Sequence, residues 1–276
     1  MYNPSDFDFV AEHYDAEMAA NPAMQYMRRV SLATLTAHFA PGAHVLEIGC
    51  GTGEEALALA RHGVRVLATD PSARMLRIAQ RKAAEAGLAG MIKTHQLAAR
   101  ELGVLVEEGY EGALDGAYAS FGPLNGEPDL RPVADALTRL IRPGGLFITS
   151  VMNRYYVLEA LWHLLHGQPR QATRRWLGEA SASISAGLLV TMRTWYHTPT
   201  AFARAFQPAF RFIDCRALTL LLPPPYLAKL WHKHAAAVQC LQVWEERLAG
   251  RWPFYALGDH FLMVLERNSS NPQEAV

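Results

Sequence analysis

The chain has 276 residues, half of them hydrophobic, and a formal net charge of zero. This length can bury one substantial core, and the neutral balance excludes an overall electrostatic attraction to DNA or RNA. The three cysteines show neither metal-ligand nor disulfide spacing, the N terminus lacks a basic-then-apolar signal, and no apolar run approaches the ~20 residues of a membrane span. We therefore expect a cytoplasmic protein without a metal site, a nucleic-acid partner or stable membrane insertion.

Residues 1–40 form a predicted N-terminal helical segment. A helix is expected over residues 24–39, and Phe7 and Phe9 before it are suited to anchor a helix on a sheet. Arg28 and Arg29 in this helix are expected to be solvated, or one of them to meet a carboxylate of a ligand.

The stretch from Val45 to Glu54 predicts a buried strand, a sharp turn and a helix. Glycines at 49, 51 and 53 permit backbone dihedrals closed to other residues and leave no Cβ between the backbone and a ligand. Thr52 is the predicted N-cap, with Glu55 at capping-box spacing, of a helix over residues 54–60 that Gly63 ends. We expect a ligand at this turn.

Two carboxylates indicate what kind of ligand that is. Glu47 lies two residues before the first glycine, where it would oppose a pyrophosphate but suit an ammonium or sulfonium group. The predicted second strand, residues 64–69, ends at Asp70, which is positioned to accept both hydroxyls of a ribose. The G-x-G-x-G spacing also differs from the G-x-G-x-x-G of dinucleotide enzymes.

The chain resembles the S-adenosylmethionine-binding core of class I methyltransferases of the small-molecule type in two segments, Leu46-Glu47-Ile48-Gly49-Cys50-Gly51-Thr52-Gly53 and Asp70-Pro71-Ser72-Ala73-Arg74-Met75-Leu76. The resemblance covers roughly residues 40–150. It implies S-adenosylmethionine as cofactor and an α/β fold: a Rossmann-like, seven-stranded, mostly parallel sheet with helices on both faces, an antiparallel last strand and a mainly helical lid built from inserts.

The resemblance also implies a set of cofactor-binding positions: Tyr14, Glu47, Gly49, Cys50, Gly51, Gly53, Asp70, Pro71, Met75, Ala99, Glu101, Ser120 and Phe121. The Tyr14-Asp15 pair resembles an N-terminal segment that closes over the cofactor, although a helix simply packed on the sheet explains it as well. Met75 would flank the adenine, and its helical periodicity equally makes it a core residue. Cys50 is interpreted as a small buried residue rather than a reactive thiol.

The third and fourth predicted strands, residues 91–97 and 114–121, contribute the other positions. Many relatives carry an aspartate for the adenine amino group after the third strand, whereas this chain has Glu101, displaced by a residue or two. Ser120 and Phe121 begin a loop at the fourth strand end, where ligands of open α/β sheets bind. Asn125 in that loop is expected to cap the next helix or to bond substrate.

Beyond a helix over residues 130–141 and a fifth strand over 146–151, the pattern becomes less regular. We predict six segments: 1–40 closing over the cofactor, a 41–151 core, a 152–209 first lid insert, a 210–222 sixth-strand region, a 223–258 second helical lid insert, and 259–276 as last strand and tail. The first insert is expected to hold a helix over 152–165, a basic loop over 167–175, a strand over 188–197 and a helix over 199–206. The many aromatic residues of both inserts favour either an apolar or aromatic acceptor or packing of the lid on the core.

Methyl transfer to oxygen needs a general base, whereas a neutral amine needs none. His163, His166, His197 and His260 are candidates in or beside the predicted lid, and a histidine there is more often structural than catalytic. His197 is the first choice of base and His163 the second. Arg170, Arg174 and Arg175 are expected to be solvated, or to hold a phosphate or carboxylate.

We therefore predict an S-adenosylmethionine-dependent methyltransferase that acts on a small-molecule acceptor, as a monomer or homodimer. Two alternatives remain open. One is an enzyme that binds S-adenosylmethionine for other chemistry, and the other is a non-catalytic scaffold subunit with the same fold. The intact set of Glu47, glycines and Asp70 argues against the scaffold, because a scaffold has no need of a ligand site.

Overall fold

A computed structural model describes residue 8 and residues 11–185 and 188–269. Within them, seven strands form one sheet in the order β3-β2-β1-β4-β5-β9-β8, and β6 and β7 form a separate antiparallel hairpin. Strand β9 runs antiparallel to both β5 and β8, and the other strands of the large sheet are parallel. The strands are β1 His44–Ile48, β2 Arg65–Thr69, β3 Ile92–His95, β4 Leu114–Ala119, β5 Ile141–Met152, β6 Glu179–Ser185, β7 Leu188–Trp195, β8 Phe210–Leu218 and β9 His260–Arg267. The predicted seven-stranded sheet with an antiparallel last strand is confirmed.

Helices cover both faces of this sheet, as the alternation of strands and helices predicts. One apolar layer joins Leu46 and Phe147 of the sheet to Leu137 of a helix, and the opposite layer joins Val45 and Tyr118 to Leu57. The α-helices of four or more residues are α1 Ala11–Ala20, α2 Pro22–His38, α3 Glu54–Arg61, α4 Ala73–Glu85, α5 Arg131–Leu140, α6 Val157–Leu165, α7 Pro169–Ala172, α8 Pro199–Ala205, α9 Ala228–Lys233 and α10 Ala235–Leu248.

The first insert differs from its prediction at three places. Strand β5 continues to Met152, and Asn153 forms a parallel bridge with His197, so helix α6 begins only at Val157. The expected basic loop contains α7 and a helical turn, Arg174–Leu177. Strand β6, which was not predicted, pairs with β7. Each difference depends on a partner distant in sequence, which local periodicity does not report.

The second insert packs on the N-terminal helices and on the end of β8. Asn21 caps α2 with its side-chain oxygen, and its Nδ2 donates to the carbonyl of Pro225 at 2.9 Å. The Trp231 ring lies 6.1 Å from the ring of Tyr26. Buried Glu245 of α10 accepts the backbone N–H groups of Leu220 and Leu221, directly after β8. Both inserts thus leave the sheet at the carboxyl end of its parallel strands; that they form a lid, and the six segment boundaries, stay predictions.

Candidate active site

The turn after β1 contains three glycines, and each has a left-handed φ, +70° at Gly49, +52° at Gly51 and +79° at Gly53. A Cβ on Gly49 would lie 2.5 Å from Cβ of Pro123, and one on Gly53 would lie 2.8 Å from Cβ of Ala79. At Gly51 the nearest atom would be Cε1 of Tyr14, 4.0 Å away. Protein packing therefore requires two of these glycines, whereas Gly51 borders open space.

Helix α3 begins at Glu54, and its N-cap is Gly53, which makes no side-chain bond. The prediction that Thr52 and Glu55 form a capping box is wrong. The Thr52 hydroxyl instead donates to Oδ1 of Asp15 at 2.5 Å, and Oδ2 of Asp15 accepts from Lys82 at 2.8 Å. Helix α1 thus covers the turn and supplies an acceptor that could not be foreseen from local sequence.

Asp70 lies beside this turn, at the end of β2. Its Oδ2 accepts the N–H of Gly51 at 2.9 Å, and its Oδ1 accepts the N–H of Ser72 at 2.8 Å. Ser72 in turn caps α4 by accepting the N–H of Met75. Burial raises the pKa of Asp70 to about 6, although the two backbone bonds act to lower it. The carboxylate is therefore fixed against the glycine turn.

Two further carboxylates are buried under the turn, Glu47 on β1 and Glu55 on α3. Burial, and then the nearby Glu55, raises the pKa of Glu47 well above its usual value. Oε2 of Glu47 makes no hydrogen bond of good geometry to a described residue, although the nearby Tyr118 hydroxyl acts to lower the Glu47 pKa. Glu55 accepts from Arg28 at 2.7 Å, and the Arg28 guanidinium lies 5.6 Å from the ring centre of Phe121. The expectation that Arg28 is solvated is wrong, because α2 brings it onto this carboxylate.

Tyr14 and Cys50 flank the glycines. Burial raises the pKa of the Tyr14 phenol, with Glu55 adding to the effect, so the phenol is neutral. Cys50 is buried, its Sγ lies 3.5 Å from the Gly51 carbonyl, and burial raises its thiol pKa well above the usual value. This agrees with a small buried residue, since a reactive cysteine needs a lowered pKa.

The other predicted cofactor positions lie on the neighbouring strand ends. Pro71 follows Asp70 and accepts from Gln96 through its carbonyl, while Met75 is buried against Ile78. Ala99 is buried, and Oε2 of Glu101 accepts the N–H of Ala98 at 2.8 Å. Glu101 thus keeps one carboxylate oxygen for another donor. Its assignment to the adenine, like the rest of the predicted site, stays a prediction.

The loop after β4 is held to β5 by side chains. Phe121, directly after the half-buried Ser120, has a φ of +63°, which is rare for an aromatic residue, and its N–H donates to Oγ of Ser150 at 2.6 Å. Buried Asn125 accepts the N–H of Met152 at 2.8 Å and donates to the carbonyl of Trp195 at 2.6 Å. The expectation that Asn125 caps a helix is wrong, because its amide joins β5 to the hairpin instead.

His197 lies at this junction, whereas His163 lies on the outer insert. The His197 ring meets Phe202 edge-on at 5.8 Å, and its pKa is lowered by burial and by Arg154. Its Nε2 is buried and makes no bond to any described residue. His163 faces Oε1 of Gln168 at 2.9 Å and stacks on Tyr226 at 6.5 Å. His197 is therefore neutral and has a free nitrogen, as a general base requires.

Asn153, the bridge partner of His197, was not singled out in the sequence. It is fully buried, and its Nδ2 finds no acceptor in the described part of the chain. Its position directly after β5, at the edge where ligands of α/β sheets bind, was the only signal available.

A buried ion cluster lies next to this bridge. Arg175 contacts Glu159 of α6 and Asp259 before β9, the latter at 2.7 Å, and Asp259 also meets His260 at 3.2 Å. Burial acts to raise the pKa of Asp259, but Arg175 and His260 outweigh it and hold that pKa below its usual range. The expectation that Arg175 is solvated is wrong, because two carboxylates distant in sequence converge on it; Arg170 is exposed. Across the part of the chain that the structure describes, no group of three or more His, Cys, Asp or Glu is placed to hold a metal ion.

Residues 45–145, which span the glycine turn, Asp70 and the Phe121 loop, match the family model described as a methyltransferase domain. The match identifies residues 45–145, and not the rest of the chain, as a methyltransferase domain. S-adenosylmethionine is the cosubstrate that the family implies. The open space at Gly51 and the Glu47 Oε2 atom fit it, because they offer room for a ligand and a hydrogen-bond acceptor for its amino group.

Curated relatives match about two fifths to one half of this chain. The chain is 34% identical over 113 residues to the ubiquinone biosynthesis O-methyltransferase of Sodalis glossinidius, which covers 41% of this chain and 43% of that protein. It is 29% identical over 147 residues to the demethylmenaquinone methyltransferase of Symbiobacterium thermophilum, and this match covers 51% of this chain and 55% of that protein. The chain thus matches about half the length of these relatives.

Solved structures share the fold over most of both chains. An S-adenosylmethionine-dependent methyltransferase from Methanosarcina mazei aligns with a TM-score of 0.60 at 16% identity, covering 86% of this chain and 98% of that one. The cyclase SpnF aligns with a TM-score of 0.56 at 16% identity, and the alignment covers 88% of this chain and 82% of that one. These likenesses concern the fold alone.

Proposed function

We propose that this protein transfers a methyl group from S-adenosylmethionine to a small-molecule acceptor of apolar or aromatic character. The observation that carries the proposal is the placement of Asp70, whose carboxylate is fixed by the N–H groups of Gly51 and Ser72 beside an open glycine turn within the methyltransferase domain. A carboxylate at the end of β2 is suited to bind the hydroxyls of a ribose.

The residues around the turn would hold the cofactor in parts. Asp70 would accept the ribose hydroxyls, and Glu47 would accept the amino group or a water bound to it. Gly51 leaves room for the ligand to approach the backbone, and Tyr14 covers it from α1. S-adenosylmethionine, when bound, supplies an electrophilic methyl group on a sulfonium sulfur. The chain then contributes orientation and the exclusion of water.

The acceptor would lie at the carboxyl ends of β4 and β5, next to Phe121 and the Asn153–His197 bridge. There Nε2 of His197 would accept the proton of an acceptor hydroxyl, and the unpartnered Nδ2 of Asn153, on the neighbouring bridge residue, would be a donor to the acceptor. The lowered pKa of His197 keeps it unprotonated at neutral pH. The relatives named for ubiquinone and menaquinone biosynthesis support an aromatic acceptor, and a hydroxyl acceptor explains the need for a base.

The first test is calorimetric titration of ligand-free protein with S-adenosylhomocysteine, followed by assays of its formation from S-adenosylmethionine with alkyl-substituted phenols. Binding at micromolar Kd, about −8 kcal/mol, with product formed only when acceptor is present, would support the proposal. Binding without any methyl transfer would favour another reaction on this fold, and the cyclase SpnF is an aligned protein with a different reaction. Absence of binding would favour a scaffold subunit.

The base is tested by His197→Ala. We expect turnover to fall by about 10²- to 10⁴-fold, the usual contribution of general acid–base catalysis, while the affinity for S-adenosylhomocysteine is unchanged. His163→Ala is the matched control, since this ring already faces Gln168 on the outer insert. Unchanged turnover in His197→Ala would remove it as the base.

Cell compartment, assembly and partners belong to the same proposal. We propose a cytoplasmic enzyme, monomeric or homodimeric, without a nucleic-acid partner, in keeping with its zero net charge. Within the described ranges, no helix combines the length and the apolarity needed to cross a bilayer.

A further inference from the structure

Helix α6 has its apolar and charged faces inverted. Its one acidic residue, Glu159, is only 4% exposed and pairs with Arg175, whereas Leu164 and Leu165 are 53% and 84% exposed. Val157 and Leu161 lie on the same outward side, since residues three, four, seven and eight apart share a helix face. A surface helix normally shows the opposite arrangement.

The helical turn Arg174–Leu177 extends this surface. Trp176 is about half exposed, Leu177 is 82% exposed, and the Trp176 ring lies 6.2 Å from Tyr155, two residues before α6. The Arg154 side chain donates to the carbonyl of Trp176 at 2.7 Å and so fixes the turn beside the helix. We call the resulting patch the apolar face: Val157, Leu161, Leu164, Leu165, Trp176 and Leu177.

Basic residues predominate around the apolar face. Residues 152–179 contain four arginines and two acidic residues, the buried Glu159 and the exposed Glu179, which pairs with Arg193. Arg170 is exposed, Arg174 is partly exposed and lies 3.3 Å from Glu159, and Arg175 is buried. Exposed leucines bordered by basic side chains are the composition of segments that lie in the interface of a membrane.

We propose that the apolar face docks this protein reversibly on the surface of an anionic phospholipid bilayer. The leucines would enter the boundary between headgroups and acyl chains, and the arginines would meet the lipid phosphates. A second copy of the chain fits less well, because a two-fold contact would bring the same arginines against each other. A bound acceptor does not explain leucines more than 80% exposed. The inference is independent of the proposed methyl transfer.

The experiment is cosedimentation of the full chain with vesicles of phosphatidylcholine, alone or mixed in equal parts with phosphatidylglycerol. We expect binding to the mixed vesicles that weakens with added salt and is much lower on phosphatidylcholine alone. The double variant Leu165→Glu with Leu177→Glu should lower the partition by at least about tenfold, since it places two charges in the interface. Both side chains are exposed, so the variant should keep the far-UV circular dichroism of the wild type.

Phe212→Glu is the matched control, because Phe212 is also half exposed but lies on edge strand β8, towards the opposite end of the sheet. Arg170→Glu tests the charges without touching an apolar residue. The proposal is overturned if the wild type does not sediment, if the double variant binds as the wild type does, or if Phe212→Glu loses binding equally. Dimerisation that the double variant abolishes, without vesicle binding, would assign the face to a second copy.

Discussion

At the scale of single residues, the three glycines of the β1 turn serve different purposes although all have a left-handed φ. An alanine at Gly49 would overlap Pro123, whereas one at Gly51 meets no protein atom closer than 4.0 Å. The adjacent space at Gly51 is thus available to a ligand. The sequence shows three equivalent glycines, and only packing distinguishes them.

This difference leads to a paired prediction. Gly51→Ala should lower the free energy of unfolding by only ~1–2 kcal/mol, the cost of placing an alanine in the left-handed conformation. It should nevertheless weaken S-adenosylhomocysteine binding by at least about tenfold, which corresponds to 1.4 kcal/mol. Gly49→Ala should be clearly less stable than Gly51→Ala, because Pro123 must move. Urea unfolding and calorimetry measure both effects. Unchanged affinity in Gly51→Ala would show that the ligand does not approach this backbone.

The pKa of Asp70 predicts how cofactor affinity depends on pH. Burial raises the pKa of the Asp70 carboxyl to about 6, so this group is ionised above that pH and protonated below it. Because an ionised carboxylate accepts from both ribose hydroxyls, affinity for S-adenosylhomocysteine should be full above pH 6. It should fall by up to about tenfold per pH unit below it. Asp70→Asn should bind more weakly throughout and with no such dependence; a wild-type affinity that is flat from pH 5 to 8 would contradict the assignment.

The raised pKa has the opposite consequence for folding. Between the ordinary carboxyl pKa, about 4, and 6, the folded state binds this proton more tightly than the unfolded state. The contribution of Asp70 to unfolding free energy therefore decreases as pH rises through that interval. A carboxylate held at a stability cost is typical of a functional site.

At the scale of elements, a buried ion cluster attaches the first insert to the sheet, beside the packing of Phe202 and Phe206 on Phe147. Arg175, in the turn after α7, joins Glu159 of α6 to Asp259 before β9, and Tyr156 and Tyr196 lie 5.3 and 5.1 Å from its guanidinium. The cluster is buried, so neither carboxylate can turn to solvent if the arginine is lost. These contacts determine where the insert, and with it His197, lies relative to β5.

Arg175→Gln should therefore destabilise the protein by about 3–5 kcal/mol, the usual cost of breaking a buried ion pair on one side. Arg139→Gln is the control: its pair with Glu111 is exposed, and it should cost less than about 1 kcal/mol. Urea unfolding at pH 7 measures both. The lowered pKa of Asp259 means that its stabilising contribution is present at neutral pH and is lost as pH falls below about 4. Equal effects of the two variants would show that the cluster does not hold the insert.

At the scale of the whole molecule, the proposed cofactor would contact segments that are far apart in sequence. Tyr14 comes from α1, Asp70 from the end of β2 and Phe121 from the loop after β4, and α2 reaches the second insert through Asn21. A ligand held by all of them stabilises the folded state, because it binds that state alone.

S-adenosylhomocysteine at 100 times its Kd should thus raise the unfolding free energy by about 2.7 kcal/mol and shift the thermal midpoint upward by several degrees. Gly51→Ala should show a smaller shift at the same ligand concentration. A differential scanning measurement with adenosine as a control ligand tests this. No shift with S-adenosylhomocysteine would contradict binding at the turn.

The sequence by itself determined the methyltransferase core, because its strands and glycine turn are local: β1, β2 and β4 lie at the predicted apolar runs. Only the tertiary structure decided what the isolated side chains do. Thr52, Arg28, Asn125 and Arg175 were all misassigned, since each takes a partner at least 27 residues away, and a local pattern carries no information about such a partner. For the same reason the sequence did not predict β6, Asn153 or the inverted helix α6. The role of α6 depends on which of its faces the fold exposes to solvent.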